Sequence, residues 1–174
     1  MIITGGKYKG RKILAPDEKI TRPTLSKVKQ GVFNTLFSLI GDFETKSFVD
    51  LFGGSGAMGI EALSRGFEKV IVFEKNSKIA QVLKKNYETV GLKANLKIGD
   101  TLKLIEKLND KFDVIYIDPP YYSGIYEEVF SKLKNICNEN TIIIAEHSEA
   151  LNINNFTLLK EKNYGGKLVS FYSL

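Results

Sequence analysis

Short apolar runs alternate with helix-like segments through most of this chain, and this alternation restricts the fold more than any single motif does. Each apolar run has the length of a strand, and each intervening segment carries apolar residues at helical spacing. The predicted strands lie near 47–51, 69–74, 95–98, 112–117 and 141–146, and the predicted helices near 57–65, 76–90, 101–108 and 125–136. This order predicts an α/β fold with a Rossmann-like, mostly parallel sheet that is covered by helices on both faces.

The two ends of the chain follow other patterns. Residues 156–161 and 167–172 flank the turn at 163–166, which predicts a β-hairpin and an antiparallel last strand, for seven strands in all. Residues 1–16 contain glycine turns and predict an N-terminal β-hairpin extension. A helix is predicted to follow, with Thr24 as its N-cap. Its apolar positions are Leu25, Val28, Val32, Phe33, Leu36, Phe37 and Ile40.

The composition is ordinary for a soluble globular protein. With 174 residues, 43% of them apolar and 26% charged, we expect one domain, with a basic extension over about 1–23 and a core over about 24–174. No apolar run approaches the roughly 18 residues of a membrane span, and no secretory signal is recognisable. Cys137 is the single cysteine, which excludes an internal disulfide and a cysteine metal cluster. We expect a cytoplasmic monomer without a metal.

A glycine-rich turn lies between the first predicted strand and its helix. Gly54, Gly56 and Gly59 satisfy the pattern G-x-G-x-x-G, in which glycines let the backbone approach a ligand at a helix N-terminus. The pattern alone fits a nicotinamide or flavin dinucleotide as well as S-adenosylmethionine. The pattern does not choose among these ligands, and a glycine-rich turn without a ligand remains an alternative.

Acidic residues recur where successive predicted strands end. Asp50 ends the first strand, Glu74 the second and Asp100 follows the third. Glu74 lies 18 residues past Gly56, close to the roughly 20-residue offset at which an acid binds ribose hydroxyls. In a parallel sheet these ends share one edge, where ligands bind. We therefore expect the three carboxylates to line one cofactor site.

The tetrad Asp118-Pro119-Pro120-Tyr121 follows the fourth predicted strand. Proline has a fixed φ and no N–H donor, so the Asp118 carboxylate and the Pro119 carbonyl become two acceptors on a stiff turn. Tyr121 adds a face on which a nucleobase can stack. The tetrad is suited to holding a flat exocyclic amine, although an ordinary Pro-Pro turn remains an alternative.

The positive charge of the chain is concentrated at its start. Residues 1–30 carry a net charge of +6, whereas the remainder carries −1. A segregated basic segment is typical of a surface that contacts a phosphate backbone. A charged segment that only favours solubility is the alternative.

Together, these motifs resemble a known family. The glycine turn, the strand-end acids and the tetrad are similar to those of class I S-adenosylmethionine-dependent amino-methyltransferases. The N-terminal Gly5-Gly6-Lys-Tyr-Lys-Gly-Arg11, Arg22-Pro23-Thr24 and Phe33-Asn34 narrow the resemblance to the ribosomal RNA small subunit methyltransferase D family. That resemblance implies methylation of N2 of one guanine in 16S ribosomal RNA, on naked RNA or on the small ribosomal subunit. It also implies S-adenosylmethionine as cofactor.

The resemblance also implies roles for individual residues. The expected catalytic residues are Asp118, Pro119 and Tyr121. The expected cofactor-binding residues are Asp50, Phe52, Gly53, Gly54, Ser55, Gly56, Glu74, Lys75, Asp100, Thr101 and Asp118. The expected RNA-binding residues are Lys7, Lys9, Arg11, Lys12 and Arg22. One departure is in the first helix, where Lys27 and Gln30 replace the arginine and glutamate of the family pattern, so a buried Arg–Glu pair is in doubt.

Other functions stay open on the sequence. A nicotinamide-dependent reductase would use the glycine turn and Glu74 but gives no reason for the tetrad. A catalytically silent RNA-binding module, or an amino-methyltransferase of another RNA or DNA base, would share the scaffold. His147, the only histidine, is expected to be structural, because a methylated amine turns acidic and needs no strong base before transfer.

Overall fold

A computed structural model describes residues 1–15, 26–120 and 124–174. Seven strands form one sheet in the order β3-β2-β1-β4-β5-β7-β6. The strands are β1 Ser47–Asp50, β2 Lys69–Glu74, β3 Leu96–Ile98, β4 Phe112–Ile117, β5 Cys137–His147, β6 Thr157–Tyr164 and β7 Lys167–Ser173. The helices are α1 Ser26–Ile40, α2 Ala57–Ser64, α3 Ser77–Thr89, α4 Thr101–Glu106 and α5 Ile125–Leu133.

The pairing of the strands confirms the predicted fold class. Strands β1 to β5 pair in parallel, and β7 pairs antiparallel with both β5 and β6. A parallel strand needs a crossover connection, which α2, α3, α4 and α5 provide. The antiparallel β7 instead follows β6 through a turn in which Gly165 and Gly166 have φ of 68° and 91°, values that glycine adopts without strain.

Strands β1, β2 and β4 are buried on both faces, which explains their continuous apolar sequences, whereas the edge strands β3 and β6 are largely exposed. Alternate side chains of β1 and β4 face opposite sides, so Phe48 and Tyr116 pack in one core cluster while Val49 and Ile115 pack in the other. The first cluster includes side chains of α1, α2 and α3, and the second includes those of α4 and α5.

Several boundaries differ from the sequence-based prediction. The helix predicted over 125–136 ends at Leu133 and continues as a 3-10 turn over Lys134–Ile136, because Cys137 already enters β5. The helix predicted over 101–108 ends at Glu106. The N-terminal hairpin is reduced to a single antiparallel bridge between Ile2 and Lys12, since residues 5–10 form turns. Thr24, the predicted N-cap of α1, lies outside the described residues.

The carboxyl ends of β1 to β4 lie together at one edge of the sheet, called here the carboxyl edge. Because β7 runs in the opposite direction, its first residue lies at this edge as well, beside the last residues of β5. The carboxyl edge therefore collects residues from the ends of five strands and the start of a sixth. Among the described residues, none of the helices has the length and apolarity that crossing a membrane would require.

Candidate cofactor and substrate site

The glycine turn is a tight backbone loop between β1 and α2. The Gly53 N–H donates to the Phe73 carbonyl (2.7 Å), and the Gly56 N–H donates to the Gly53 carbonyl (2.7 Å). Gly56 precedes α2 with φ of 80°, a conformation that favours glycine. A Cβ at Gly59 would lie 2.3 Å from the Tyr87 hydroxyl, so this glycine permits the close approach of α2 to its neighbours. The loop has the features of a ligand-binding turn at a helix N-terminus.

Asp50, at the end of β1, is a buried carboxylate with few partners. It is 1% exposed, and its Oδ1 accepts the Phe52 N–H at 3.1 Å. Among the residues that the structure describes, no basic side chain forms an ion pair with it. Burial raises the pKa of Asp50 to about 8, and the negative charges of Asp118, Glu74 and Glu146 contribute to this increase.

Glu74 and Asp100 lie at the ends of β2 and β3, as predicted. The Glu74 carboxylate accepts the N–H groups of Gly54 (2.9 Å) and Asn76 (2.7 Å), so it lies directly against the glycine turn. Asp100 pairs with Lys75 at 3.0 Å, and this hydrogen bond holds the pKa of Asp100 below its ordinary value. Thr101 is buried, and its hydroxyl donates to the Leu51 carbonyl at 2.8 Å. The structure thus brings the predicted cofactor residues together at the carboxyl edge.

Asp118 leaves β4 at the same edge and contacts a cation that sequence reasoning missed. The Lys167 ammonium, at the start of β7, lies 3.3 Å from both carboxylate oxygens of Asp118. Lys167 also forms an ion pair with the buried carboxylate of Glu146. Burial lowers the pKa of Lys167, but the charges of Asp118 and Glu146 outweigh burial and raise it. Lys167 is therefore charged between two carboxylates.

Two tyrosine hydroxyls donate hydrogen bonds to Glu146. The Tyr116 hydroxyl donates to the Glu146 carboxylate, and the Tyr126 hydroxyl donates to the Glu146 backbone carbonyl. Burial and the charge of Glu146 raise the pKa of Tyr116, so this hydroxyl keeps its proton. The next residue, His147, is also buried, and its Nδ1 lies 2.7 Å from the Glu149 carbonyl. The structural role expected for His147 stays a prediction.

The N-terminal segment presents basic side chains around an aromatic ring. The Arg11 guanidinium lies over the Tyr8 ring, 5.0 Å from its centroid, and the Lys7 ammonium lies 5.6 Å from the same centroid. Lys7, Lys9, Arg11 and Lys12 are exposed. These four residues are called here the basic surface. The structure thus places the described RNA-binding candidates on one exposed segment.

Two buried residues that the sequence did not single out attach this segment to the core. The Glu61 carboxylate, on α2, accepts the backbone N–H (2.8 Å) and the hydroxyl (2.6 Å) of Thr4. The Asn86 side chain, on α3, accepts the Leu14 N–H (2.7 Å) and donates to the Ser55 carbonyl in the glycine turn (2.9 Å). Asn86 therefore links the glycine turn to the base of the N-terminal segment.

The buried ion pair that the sequence placed in doubt is present in another form. Glu61 is 0% exposed and lies 3.6 Å from the Lys29 ammonium, which is also 0% exposed. Arg65, one helical turn along α2, lies 2.9 Å from Glu61 as well. The cation comes from position 29 rather than 27, and the acid comes from a different helix. Lys29 consequently contributes nothing to a basic surface, although it was counted in the N-terminal charge.

Two predicted site residues, Tyr121 and Arg22, lie outside the described residues. Signals for the missed residues were weak, because Lys29, Glu61, Asn86 and Lys167 are separated in sequence from their partners. Only the position of Lys167, at the start of the strand after a glycine turn, could have indicated a side chain at the carboxyl edge. Within the described ranges, no group of three or more histidine, cysteine, aspartate or glutamate residues is arranged to hold a metal.

Comparison with known proteins extends the similarity over the whole chain. The family model described as Conserved hypothetical protein 95 matches residues 1–173. The ribosomal RNA small subunit methyltransferase D of Haemophilus influenzae is 34% identical, over 94% of this chain and 88% of its own length. The solved structure of yhhF from Escherichia coli has a TM-score of 0.84 at 26% identity and covers 99% of this chain and 97% of that chain. HI0767 from Haemophilus influenzae has a TM-score of 0.79 at 30% identity, with coverage of 99% and 97%.

Proposed function

This chain belongs to the ribosomal RNA small subunit methyltransferase D family, and we propose that it methylates the exocyclic N2 amine of a guanine in 16S ribosomal RNA. The methyl donor is S-adenosylmethionine. The observation that carries the proposal is the position of Asp118 at the carboxyl edge, after β4 and beside the end of β1, where a carboxylate can hold an amine next to the cofactor. The name of the Haemophilus relative supports ribosomal RNA as the substrate.

The residues at the carboxyl edge fit the proposed cofactor. S-adenosylmethionine carries an ammonium and a sulfonium, and its bound methyl group is the electrophile. Asp50 is a buried carboxylate without a basic partner among the described residues, which suits a positively charged ligand. In this proposal Glu74 binds the ribose hydroxyls, and Asp100 accepts from the adenine amino group. A nicotinamide dinucleotide would also use Glu74 but would leave Asp118 without a role.

The proposed chemistry depends mainly on positioning. The amine of guanine is a poor nucleophile, because its lone pair is delocalised into the ring. Acceptors on Asp118 and on the Pro119 carbonyl hold the two amine hydrogens and turn the lone pair toward the methyl group. The lone pair then forms the new N–C bond, the C–S bond breaks with its electrons on sulfur, and N2 releases a proton to water. Holding the reacting atoms about 3–3.5 Å apart makes the step effectively unimolecular.

The basic surface supports a nucleic acid as the second substrate. Guanine N2 cannot be methylated in a stacked helix, so the target base lies in a loop or is flipped out, which costs a few kcal/mol. Contacts of Lys7, Lys9, Arg11 and Lys12 with phosphates offset that cost. The same segment is attached through Asn86 to the glycine turn, which fixes the RNA contacts relative to the cofactor.

A single-turnover assay with radiolabelled S-adenosylmethionine and small ribosomal subunits from a strain lacking this gene tests the proposal. Asp118→Ala should lower the rate on the order of a hundredfold while leaving the affinity for S-adenosylhomocysteine nearly unchanged. Asp110→Ala is the matched control, because Asp110 is an exposed aspartate paired with Lys69. Mass spectrometry of the product should place the methyl group on guanine N2. Methylation at another atom, or a wild-type rate for Asp118→Ala, would refute the proposal.

A further inference from the structure

Lys167 occupies a position that the topology of the sheet creates. The parallel strands end at the carboxyl edge, whereas the antiparallel β7 begins there. Its first residue therefore points an ammonium into an edge that is otherwise rich in carboxylates. Among the described residues of this edge, the other cation in an ion pair is Lys75, which is bound to Asp100. Lys167 is the described cation that pairs with Asp118 of the tetrad.

The contacts of Lys167 link the tetrad to a fixed, buried anchor. Its ammonium lies 3.3 Å from both oxygens of Asp118, whose side chain is 24% exposed. On its other side it pairs with Glu146, whose side chain is 0% exposed. Glu146 is itself held by the Tyr116 hydroxyl. These contacts connect the buried residues Tyr116 and Glu146, through Lys167, to Asp118. Asp118 is the carboxylate that the proposed reaction uses.

We propose that Lys167 is a positioning residue for methyl transfer, which holds the Asp118 carboxylate charged and oriented toward the incoming amine, with Glu146 as its anchor. This inference rests on the proposed function, because Asp118 must act on the amine for its orientation to matter. Without the ammonium, Asp118 and Glu146 would be two neighbouring carboxylates, and such pairs retain a proton to a higher pH. A protonated Asp118 is a poorer acceptor for an amine.

The described charged and titratable groups that interact with Asp118 or lie near it come from several elements. They are Asp50 on β1, Tyr116 on β4, Tyr126 on α5, Glu146 on β5 and Lys167 on β7. Within the part of the chain that the structure describes, Lys167 is the cation of this group. Removing the Lys167 ammonium therefore makes the surroundings of Asp118 more negative, which favours the protonated form of Asp118.

The pH dependence of the single-turnover rate tests this role at saturating S-adenosylmethionine, with small ribosomal subunits as substrate. Lys167→Met should move the acid limb of the profile upward by about 1–3 pH units, the usual effect of an opposite charge at this distance, and so lower the rate at least tenfold at a pH on that limb. Lys167→Arg should restore most of the rate at that pH. Lys160→Met is the matched control, since Lys160 is an exposed lysine on β6, and it should behave as wild type.

A second variant separates positioning from a merely structural role. Glu146→Gln in the Lys167→Met background should move the acid limb back down, because it removes the competing negative charge. If Lys167→Met does not fold, Glu146→Gln alone provides the test. It should move the acid limb of the profile to lower pH, because Lys167 then pairs with Asp118 only. A uniform loss of rate with an unshifted profile would overturn the inference.

The same assay distinguishes the failure of this inference from failure of the proposed function. If Asp118→Ala retains the wild-type rate, the tetrad is idle and the proposed function fails. If Asp118→Ala loses activity but Lys167→Met keeps the wild-type rate and profile, the proposed function stands and the role of Lys167 is wrong.

Discussion

Two buried carboxylates of this molecule, Glu61 and Asp50, differ in how their charge is balanced. Both are essentially inaccessible, at 0% and 1% exposure. Glu61 contacts two cations, Lys29 and Arg65, and two donors of Thr4. Asp50 accepts one backbone N–H and forms no ion pair with the described residues. Burying a charge is costly unless it is paired. The paired charge of Glu61 and the unbalanced carboxylate of Asp50 therefore indicate different roles.

In the proposed function, Glu61 belongs to a structural site whose charges are all paired, and Asp50 belongs to a cofactor site that a bound ligand would complete. Glu61 attaches the N-terminal segment and α1 to α2, and every contact it needs comes from the chain itself. Asp50 lies where the proposed cofactor would bring positive charge, and in the free protein its pKa is raised to about 8. The proposed function thus links the raised pKa of Asp50 to ligand binding, whereas the ion pairs of Glu61 join elements of the fold.

The largest expected effect concerns the pH dependence of stability at Asp50. Between about pH 4 and pH 8 the unfolded chain releases this proton, whereas the folded chain, with its pKa near 8, retains it. Rising pH thus favours unfolding by up to about 1.4 kcal/mol per pH unit in that window. Asp50→Asn lacks this term, so the cofactor-free variant should gain stability over wild type progressively from pH 5 to pH 8. Denaturant titrations across this range measure the difference, and a difference independent of pH would contradict the assignment.

The second effect concerns Glu61. Glu61→Gln should lower the free energy of unfolding by about 3–5 kcal/mol, because it leaves the buried Lys29 without its counter-charge. Glu88→Gln, an exposed position on α3, is the control and should change stability by no more than about 0.5 kcal/mol. Under conditions in which the variant is folded, Glu61→Gln should bind S-adenosylhomocysteine with wild-type affinity. A large loss of cofactor affinity in folded protein would show that the two carboxylates are not separate sites.

The third prediction tests whether Glu74, like Asp50, belongs to the proposed cofactor site. Glu74→Ala should weaken S-adenosylmethionine binding by about 1.5–3 kcal/mol, the contribution of a charge-assisted hydrogen bond. Isothermal titration measures this loss. Glu139→Ala serves as control, because Glu139 is exposed near the opposite end of β5. Equal affinities for the two variants would exclude a ribose contact for Glu74.

The fourth effect is a proton released on cofactor binding. A cation beside Asp50 favours its ionised form, so binding below pH 8 expels the proton that the free protein carries. The affinity should rise with pH, by at most about tenfold per pH unit, and level off above about pH 8. Titration in buffers of different ionisation enthalpy counts the proton directly. The Asp50→Asn variant should release none.

The sequence predicted the carboxylates of the carboxyl edge better than the ion pairs of Glu61. Asp50 and Glu74 each end a strand and Asp118 directly follows one, and the parallel order of the sheet alone places strand ends together. Glu61 and Lys29 lie on different helices, and nothing in local spacing indicates that these two side chains meet. Lys167 was missed for the same reason, since its contacts follow from the reversed direction of β7. Periodicity gave the elements and their order, but pairing between distant side chains depends on packing.

The smallest expected effect extends the comparison to exposed charges. Lys69 forms an ion pair with Asp110 at 2.7 Å, whereas Lys9 forms none with the described residues. An unpaired surface lysine is available to a phosphate, and each lost phosphate contact should reduce the slope of log affinity against log salt by about 0.7–0.9. Lys9→Ala should therefore weaken binding to 16S ribosomal RNA evenly across sequences and lower this slope, while Lys69→Ala should leave it unchanged. Filter binding at several salt concentrations measures both. An unchanged slope for Lys9→Ala would remove Lys9 from the RNA-binding surface without affecting the assignment of the cofactor site.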